Sequence, residues 1–570
     1  MKRLLFFLCG FVFLFFMLPG KAQAAAIRDA EKRMQDNMKQ KNAMDLPPLK
    51  DAYSGIFLTG NVVSPGDLDN ERFHVLSRHF NILTAENAMK PLYLQPEKGV
   101  FKFEAADQLA DAASSAGLKM HGHTLAWHQQ SPRWMNYDGI SRDEAIENLT
   151  NHAKAVVSHF KGRVISWDVL NEAIIDSPPY PEDWRASLRH TPWLNAIGPD
   201  YIEILFKAAR EADPDAILFY NDYNLDNQNK ALAVYNMVKE INALSSLSED
   251  RPLIDGIGMQ GHYRVNTKIE NVEASIKRFI SLGVEIGFTE LDVLAGASRA
   301  LTEAQALEQG VVFAHLFSLF KKYASQISRI TIWGLDDGRS WRGPRNPTLF
   351  DRNLDAKPAF FGALHPDQFL AENESKLVKE IKAVNALYGT PQLGNFNDPL
   401  WDKPAAIDID QHLYAWQGAS GQAKVLWDEH HLYARIIVTG AVFNKANLAH
   451  HEQDSVEVFI DELNHKSTYI DYDDAQYRVN FDNEQSFRER GSAVGFESRA
   501  IVSDGTYSVV MKIPFRYVEP TANMVIGFDL QINGASDRGF RQGVAVWNDV
   551  SGLSWEDTSG YGNLVLTVDK

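Results

Sequence analysis

Two short stretches share one pattern: Trp167-Asp168-Val169-Leu170-Asn171-Glu172 and Gly287-Phe288-Thr289-Glu290-Leu291-Asp292. Each is an apolar run with β-branched residues that leads to a glutamate, which is typical of a buried strand carrying a carboxyl group at its C-terminal edge. In a closed barrel of parallel strands, side chains at these edges gather on one face. The two stretches therefore predict that Glu172 and Glu290 lie at the same end of one scaffold.

The flanking sequence repeats the strand pattern and separates the repeats with amphipathic, helix-like segments. Eight strand-and-helix units in about 310 residues predict an α/β fold, a (β/α)8 TIM barrel, over residues 48–366. A doubly wound open sheet is the alternative, but the glycine-rich turn that this fold places after its first strand is missing. The predicted strands are residues 56–62, 80–84, 119–125, 164–170, 216–220, 254–260, 284–289 and 330–333.

The chain of 570 residues is too long for a single core. A charged segment, residues 372–387, predicts a helical connector over residues 367–390. Beyond it, short alternating runs separated by Gly, Asp and Asn predict an all-β sandwich over residues 391–570.

The N-terminus has the pattern of a targeting signal. A basic start at Lys2 and Arg3, an apolar run over residues 4–18 and a small-residue site near Ala24 predict a signal peptide over residues 1–24, and thus a secreted or periplasmic protein. Residues 25–47 predict a helical segment. Cys9, the only cysteine, lies in the signal, where lipid attachment is an alternative. The net charge of −17 argues against nucleic acid or an anionic membrane as a partner, and oligomeric state is left undetermined.

Two carboxyl groups on one scaffold are the minimal equipment for cleaving a glycosidic bond. Asn171 is placed to bind a sugar hydroxyl group, and Asp292 shares a strand face with Glu290. His262, which follows the sixth strand, is placed to bridge Glu290 and Asp292 and keep Glu290 ionised. Such unequal surroundings would make Glu172 the acid and Glu290 the nucleophile.

The third strand ends in His121-Gly122-His123-Thr124-Leu125-Ala126-Trp127-His128. A His-x-His pair at a strand end is also found as a metal site in barrel hydrolases, so a metal-dependent hydrolase stays open as an alternative. In the sugar-binding interpretation, His123 and His128 supply polar contacts. Trp127, Trp333 and Trp341 supply flat apolar surfaces.

Residues 50–365 resemble glycoside hydrolase family 10, the retaining endo-β-1,4-xylanases. The resemblance rests on ordered motifs such as Thr84-Ala85-Glu86-Asn87-Ala88-Met89-Lys90, Tyr220-Asn221-Asp222-Tyr223 and Gly258-Met259-Gln260-Gly261-His262, besides those quoted above. It implies Glu172 as acid/base and Glu290 as nucleophile, with carboxyl groups about 5–5.5 Å apart, no catalytic cofactor, and xylan or xylo-oligosaccharides as substrate. It also implies that the xylose units contact Glu86, Asn87, Lys90, His123, Trp127, Asn171, Gln260, His262, Trp333 and Trp341.

One departure is His121, where the family usually has arginine and where we expect a local change in packing or charge. Two alternatives to the xylanase stay open. One is a carbohydrate-binding protein with an inert barrel, and the other is a hydrolase of another β-1,4-glycan.

Residues 391–570 resemble family 9 carbohydrate-binding modules, on stretches such as Glu452-Gln453-Asp454-Ser455-Val456-Glu457 and Ser554-Trp555-Glu556-Asp557. Members that bind sugar clamp it between two tryptophans. Trp555 matches the second, but His451 stands at the first position, so a purely structural sandwich is the alternative. The resemblance implies Glu457, Arg478, Asn480 and Gln531 as hydroxyl partners. It also implies a structural calcium ion near Asp471-Tyr472-Asp473-Asp474, which a solvated charged turn would equally explain.

Overall fold

The computed structural model describes residues 41–568 except 136, 246–250, 297–299, 378–380, 414–417, 468 and 489–492. The predicted signal peptide, Cys9 and most of the predicted N-terminal helix lie outside the described residues. Within residues 41–47 only a short 3-10 helix, Ala43–Asp45, is present. Among the described residues, every helix is too short or too polar to cross a bilayer.

The first domain is a closed barrel of eight parallel strands, which confirms the predicted fold. Neighbouring strands pair in chain order, and pairing of Gly256–Met259 with Glu285–Leu294 and of Ile327–Ile332 with the first strand closes the ring. A further short strand, His262–Arg264, lies outside the ring and, among the described residues, pairs only with Glu285–Leu294. The strands are β1 Leu58–Val63, β2 Ile82–Ala85, β3 Lys119–Trp127, β4 Ser166–Asn171, β5 Ile217–Asp222, β6 Gly256–Met259, β7 His262–Arg264, β8 Glu285–Leu294 and β9 Ile327–Ile332.

Helices surround this barrel and bury their apolar faces against the strands, because a parallel sheet needs cover on the side away from its centre. Buried aliphatic and aromatic side chains from strands and helices form one continuous core. The helices are α1 Leu49–Ala52, α2 Glu71–His79, α3 Pro91–Leu94, α4 Glu104–Ser115, α5 Arg142–Phe160, α6 Pro192–Ile197, α7 Tyr201–Ala212, α8 Gln228–Ser245, α9 Ile269–Ile280, α10 Glu303–Lys322, α11 Pro358–Leu364 and α12 Pro366–Asn373.

The second domain is a β-sandwich, also as predicted. Its thirteen strands form one hydrogen-bonded sheet that folds into two layers around an apolar core. The strands are β10 Ala383–Tyr388, β11 Ile407–Ile409, β12 Gln411–His412, β13 Ser420–Trp427, β14 His431–Thr439, β15 Ser455–Asp461, β16 Asp474–Asn480, β17 Gln485–Phe487, β18 Glu497–Ser503, β19 Thr506–Pro514, β20 Val525–Ala535, β21 Arg541–Val546 and β22 Gly562–Thr567.

The predicted helical connector is wrong in its second half. Helix α12 and a 3-10 turn end at Lys376, and β10 follows at Ala383–Tyr388. Strand β10 pairs in parallel with both β13 and β22, so it joins the two layers of the sandwich. Its partners lie far along the chain, and their pairing overrides a helix-favouring local composition.

The two domains touch through polar contacts beside the C-terminal end of the barrel. Arg264, at the end of β7, forms an ion pair with Glu556. Asn266 donates hydrogen bonds to Asp557 at 2.5 Å and to Ser559 at 3.3 Å. The barrel end that carries the two glutamates therefore lies next to the 550–560 loop of the sandwich.

Gly258 on β6 leaves room for the side chain of Asn221, which comes from the neighbouring strand β5. A β-carbon built at Gly258 would lie 2.3 Å from Asn221 Oδ1 and 2.9 Å from Thr289 Cγ2. Since both atoms belong to buried side chains, neither has room to move away. The absence of a side chain at this position is thus a packing requirement of the barrel mouth.

We predict that Gly258→Ala lowers the free energy of unfolding of the barrel by about 1–3 kcal/mol, the usual cost of overpacking a tight core. Gly66→Ala is the matched control, because a β-carbon there would meet only Arg339 Nη2 at 3.9 Å. Denaturant unfolding of both variants measures the effect. Equal stability of the two variants would show that Asn221 has room to move.

Candidate active site

Glu172 follows β4 directly and is held in a strained backbone conformation. Its φ of 59° lies in the left-handed region, which non-glycine residues rarely adopt and which is found at functional sites. Its backbone nitrogen donates to Asn221 O at 2.9 Å. Its carboxyl group is buried and accepts hydrogen bonds from Trp127 Nε1 at 2.8 Å and Gln260 Nε2 at 2.9 Å. These contacts fix the carboxyl group in one orientation.

Glu290 lies in β8 and is also buried, at 5% exposure. One carboxylate oxygen accepts from Asn221 Nδ2 at 2.9 Å, and the other lies 3.2 Å from His262 Nε2. His262 Nδ1 lies 2.9 Å from Asp292 Oδ2, so the predicted bridge between Glu290 and Asp292 is present. An imidazole between two carboxylates donates from both nitrogens when it is protonated.

Asn221 connects the two glutamates, and the sequence interpretation gave it no role. Its amide nitrogen donates to Glu290 and to Asn171 Oδ1, each at 2.9 Å, and its amide oxygen accepts from Thr289 Oγ1. Gln260 also donates to Asn171, at 3.2 Å. The available signal was a polar residue at a strand end, in the quoted motif Tyr220-Asn221-Asp222.

The two carboxyl groups have opposite pKa shifts. Burial raises the pKa of Glu172, the negative charge of Asp222 raises it further, and hydrogen bonds from Gln260 and Trp127 oppose this only in part. Burial would also raise the pKa of Glu290, but the hydrogen bond from His262 and the electrostatic interactions with His123 and His262 outweigh it and lower the pKa. The site therefore favours a protonated Glu172 beside an ionised Glu290.

A cation at His262 completes this arrangement. Burial alone would lower the pKa of His262, but Asp292 and Glu290 together raise it to about 9. Arg342 lies 3.4 Å from Asp292, and the ring of Trp341 packs edge-on against His262 at 5.3 Å. Trp341 is 58% exposed, so one side of its ring is available as a surface.

Several predicted substrate residues gather on the other side of Glu172. Lys90 Nζ donates to Asn87 Oδ1 at 3.0 Å and lies 5.1 Å from the centre of the Trp127 ring. Glu86 accepts from Ser64 Oγ at 2.9 Å and borders a cavity of about 330 Å³. Polar side chains and a cavity therefore lie on this side of the barrel mouth.

His123 and Trp333 also lie at this end, with their rings edge to face at 5.4 Å. His123 Nδ1 bonds Asp168 Oδ2 at 2.9 Å, a partner that the sequence interpretation missed. His128 packs edge-on against Trp127 at 6.0 Å and is only partly buried. Burial and the charge of Arg189 lower its pKa to about 4, so it is neutral near pH 7.

His121, where the sequence departs from the family pattern, is neutral near pH 7. Burial and the neighbouring Arg329 lower the pKa of His121 to about 4. Arg329 Nη2 donates to His121 Nε2 at 2.8 Å and lies 3.6 Å from Asp168. A guanidinium on β9 thus supplies the positive charge that His121 lacks.

Arg189 supports the strained turn from the loop between β4 and α6. It donates to the carbonyl oxygens of Glu172 and Ile174, each at 3.2 Å, and to Tyr223. An ion pair with Asp176 at 3.0 Å holds the Arg189 guanidinium group in this position. The sequence interpretation did not single out Arg189.

In the sandwich, the structure brings four of the five predicted sugar contacts together. Glu457, Arg478, Gln531 and Trp555 line one cavity, together with His451. Asn480 is the exception and corrects the prediction. It lies at the end of β16, where its amide group bonds Gln453, Asp482 and Glu484 and so closes a turn.

Two overlapping groups of residues in the sandwich could hold a metal ion, and these are the groups found among the described residues. In one, oxygens of Asp461, Asp473 and Asp474 lie within 4.8 Å of one another. Burial and the neighbouring charge of Asp461 raise the pKa of Asp474 to about 7. Asp473 Oδ1 and Asp474 Oδ1 are buried without a hydrogen-bond partner in the described part of the chain, so the oxygens fit a calcium ion.

The family model for glycosyl hydrolase family 10 matches residues 48–366, which include every barrel residue discussed above. The chain belongs to glycosyl hydrolase family 10. A second model, the carbohydrate family 9 binding domain-like family, matches residues 394–568. Both matches confirm the resemblances inferred from the sequence.

Several curated relatives match the chain over both domains. An endo-1,4-beta-xylanase A from Thermoanaerobacterium saccharolyticum is 32% identical over 92% of this chain and 60% of its own length. An exoglucanase from Acetivibrio thermocellus is 31% identical over 92% of this chain and 64% of its own. The chain thus spans about 60–66% of the length of its first curated relatives.

A solved xylanase structure has the same barrel fold. The intracellular xylanase of Thermoanaerobacterium saccharolyticum JW/SL-YS485 matches 56% of this chain and 98% of its own, with 40% identity and a TM-score of 0.52. Variants of that protein with glutamate replaced by alanine have been solved with xylotriose and with xylotetraose.

The raised pKa of His262 makes its contribution to stability depend on pH. A group whose folded pKa exceeds its unfolded value stabilises fully below the unfolded pKa, and loses this effect as the pH rises through the folded pKa. For His262 this interval runs from 6.5 to about 9. We predict that His262→Gln lowers the free energy of unfolding more at about pH 6 than at about pH 10.

Denaturant unfolding at the two pH values measures this difference, with His74→Gln, at an exposed histidine, as control. Equal losses for His262→Gln at both pH values would mean that His262 is not held as a cation.

Proposed function

We propose that the protein is a secreted, retaining endo-1,4-β-xylanase. The observation that carries this proposal is the geometry of two buried carboxyl groups with different partners at one end of the barrel. Glu290 bonds Asn221 and also His262, which lowers its pKa, whereas Glu172 bonds the neutral Gln260 and Trp127 side chains and has a raised pKa. A retaining glycosidase needs one protonated and one ionised carboxyl group on either side of the bond that is cut. Glu172 fits the first role and Glu290 fits the second.

In the first step, a Glu290 oxygen attacks the anomeric carbon of the sugar. The bond from that carbon to the leaving oxygen breaks, and Glu172 gives its proton to that oxygen. His262 holds the attacking carboxylate in place through its other oxygen. The product is a sugar bound covalently to Glu290, with its configuration inverted once.

In the second step, Glu172, now ionised, takes a proton from water. The water oxygen attacks the same anomeric carbon, and the bond to Glu290 breaks. A second inversion restores the β-configuration. The amide group of Asn171, held by Asn221 and Gln260 through its oxygen, is positioned to bind the 2-hydroxyl group.

Xylan is the favoured substrate because most of the first relatives over both domains are named xylanases and variants of a similar solved xylanase form complexes with xylotriose and xylotetraose. The exposed face of Trp341, together with Trp127 and Lys90, offers surfaces for sugar units along the cleft. Because one relative is an exoglucanase, cellulose is the alternative substrate that an assay must compare with xylan. We place the enzyme outside the cytoplasm because residues 1–24 have the pattern of a signal peptide.

For the second domain we propose sugar binding, supported by the cavity beside Trp555 and by the family match. We also propose that Asp461, Asp473 and Asp474 hold a structural calcium ion. Such an ion would relieve the repulsion between their carboxylates and tie β15 to β16.

The calcium proposal predicts that a chelator lowers the unfolding temperature of the sandwich and that added calcium restores it. Asp474→Asn should weaken the response, whereas Asp504→Asn, in an exposed turn, should leave it unchanged. Calorimetry of the full chain measures both. An identical unfolding temperature with chelator and with calcium would rule the ion out.

The enzymatic proposal predicts that Glu172→Gln and Glu290→Gln each reduce xylan hydrolysis by roughly 10²–10⁴-fold or more, because each removes one half of the acid and nucleophile pair. Both changes keep the size of the side chain. Glu104→Gln, at an exposed glutamate in the first turn of α4, is the control and should retain full activity. The assay follows new reducing ends on unbranched xylan and on carboxymethyl cellulose.

Nuclear magnetic resonance of the first product identifies its anomer, which we expect to be β. Equal or faster cleavage of cellulose would overturn the substrate while keeping the mechanism. Full activity of Glu290→Gln would overturn the mechanism, and no activity on either polymer would favour a binding protein.

A further inference from the structure

A fully buried ion pair lies next to the turn that carries Glu172. Lys230 Nζ, in the first turn of α8, lies 2.8 Å from Asp222 Oδ1 at the end of β5, and both side chains are 0% exposed. Burying two charges is costly, and the loss of either partner leaves the other uncompensated. The contacts around this pair show what it holds in place.

Asp222 holds the backbone of the turn that follows Glu172. Its Oδ2 accepts from Tyr220 Oη at 2.5 Å and lies 3.4 Å from the backbone nitrogen of Ile174. Tyr220 Oη in turn accepts from the backbone nitrogens of Ala173 at 3.1 Å and Ile174 at 3.2 Å. The two N–H groups after Glu172 therefore end on a tyrosine hydroxyl group that Asp222 orients.

The carbonyl groups of the same turn are held by Arg189, which donates to Glu172 O and Ile174 O. Asp176 links this arginine to the buried pair, because its Oδ1 lies 3.0 Å from Arg189 Nη2 and 3.8 Å from Lys230 Nζ. Glu172 has a φ of 59°, a costly conformation that persists only when its surroundings impose it. The ion pair is thus part of the structure that imposes this conformation.

Lys230 balances charge inside the protein and does not reach the substrate. Its ammonium group lies 3.7 Å from the centre of the Tyr223 ring, and the backbone nitrogen of Tyr223 donates to Asp222 Oδ1 at 2.9 Å. One carboxylate in contact, a second at 3.8 Å and an aromatic face surround the ammonium group. Because its side chain is fully buried, Lys230 acts on the reaction only through its neighbours.

The charge of Asp222 also acts on the acid group itself. Burial and the negative charge of Asp222 raise the pKa of Glu172, and hydrogen bonds from Gln260 and Trp127 lower it in part. The charge of Glu290 has a smaller effect in the same direction as that of Asp222. A like charge nearby disfavours the ionised form of a carboxyl group, so Asp222 favours a protonated Glu172.

Other titratable groups also face these residues. Lys90 interacts electrostatically with Glu172, and Tyr201 of α7 does so with Asp222. Lys230 interacts in the same way with two further groups, His128 and Asp226. Among the charges that act on Glu172, that of Asp222 is the strongest, so a change at Asp222 is the most direct test.

We propose that Asp222 and Lys230 are positioning residues for Glu172: their buried ion pair fixes the turn after Glu172 and places a carboxylate near its acid group. The pair thereby keeps Glu172 in the protonated form that the first step of the reaction needs. The inference rests on the proposed role of Glu172 as the acid and adds two residues that do not touch the substrate.

The test is the pH dependence of kcat/KM of the full chain on two substrates with different leaving groups. Cleavage of xylotetraose needs a proton on the leaving oxygen, whereas 2,4-dinitrophenyl β-xylobioside releases a phenolate that leaves without one. The alkaline side of the xylotetraose profile therefore follows the loss of the acid group, and that of the dinitrophenyl profile does not.

We expect Asp222→Asn to move the alkaline side of the xylotetraose profile to lower pH, because an ionised Glu172 then has no carboxylate of Asp222 near it. On that side, kcat/KM relative to its value at the optimum should fall about threefold or more. The shape of the dinitrophenyl profile should not change. Asp222→Asn leaves Lys230 unpaired, so Asp222→Asn with Lys230→Met is the second variant and should shift the profile in the same direction.

Asp337 and Lys357 provide a matched control. They form another buried aspartate–lysine pair in the barrel, with 2.9 Å between Lys357 Nζ and Asp337 Oδ2. Asp337→Asn with Lys357→Met should change the stability of the barrel but leave the shape of both pH profiles as it is.

The outcomes separate this inference from the proposed function. An unchanged alkaline side in folded variants of Asp222 would overturn the inference alone, and so would an equal shift on both substrates. If neither variant of Asp222 folds while the control does, the pair serves stability and the inference is also overturned. If the parent enzyme has the same alkaline side on both substrates, Glu172 is not the acid, and the proposed mechanism is wrong as well.

Discussion

The architecture of the barrel mouth depends on one electrostatic constraint: two carboxyl groups are buried at the same end of the barrel, and their surroundings favour the anion at Glu290 and the neutral acid at Glu172. Burying a charge is costly unless charged or polar partners compensate for it. Glu290 receives that compensation from His262 and Asn221, whereas Glu172 has Asp222 as a neighbour, whose negative charge opposes ionisation. The chemical asymmetry of the site follows from this unequal distribution of partners.

The barrel makes this distribution possible because each partner comes from a different strand. Asn171 on β4, Asn221 on β5, Gln260 after β6 and Glu290 on β8 form one hydrogen-bonded network only when the strands close into a ring. The network also supports the left-handed backbone of Glu172, since Asn221 accepts its N–H. The same hydrogen bonds therefore stabilise the barrel and position the two carboxyl groups.

The sequence predicted the elements whose signals are local. Apolar runs ending in polar residues gave eight barrel strands with boundaries close to those observed, and strand-end positions identified Glu172, Glu290 and His262. The roles of Asn221, Asp168 and Arg189 were missed because they depend on which side chains meet across strands and loops. Strand β10 was predicted as part of a helical connector because only its distant pairing partners make it a strand.

The most direct measurement of the central claim is to trap the intermediate. A xylobiose derivative with fluorine at C2 and a good leaving group slows the second step more than the first, so the sugar stays attached to its nucleophile. Mass spectrometry of the digested protein then locates it. We predict a single label on Glu290, and a label on any other residue, or turnover that gives the inverted anomer without a label, would contradict the account.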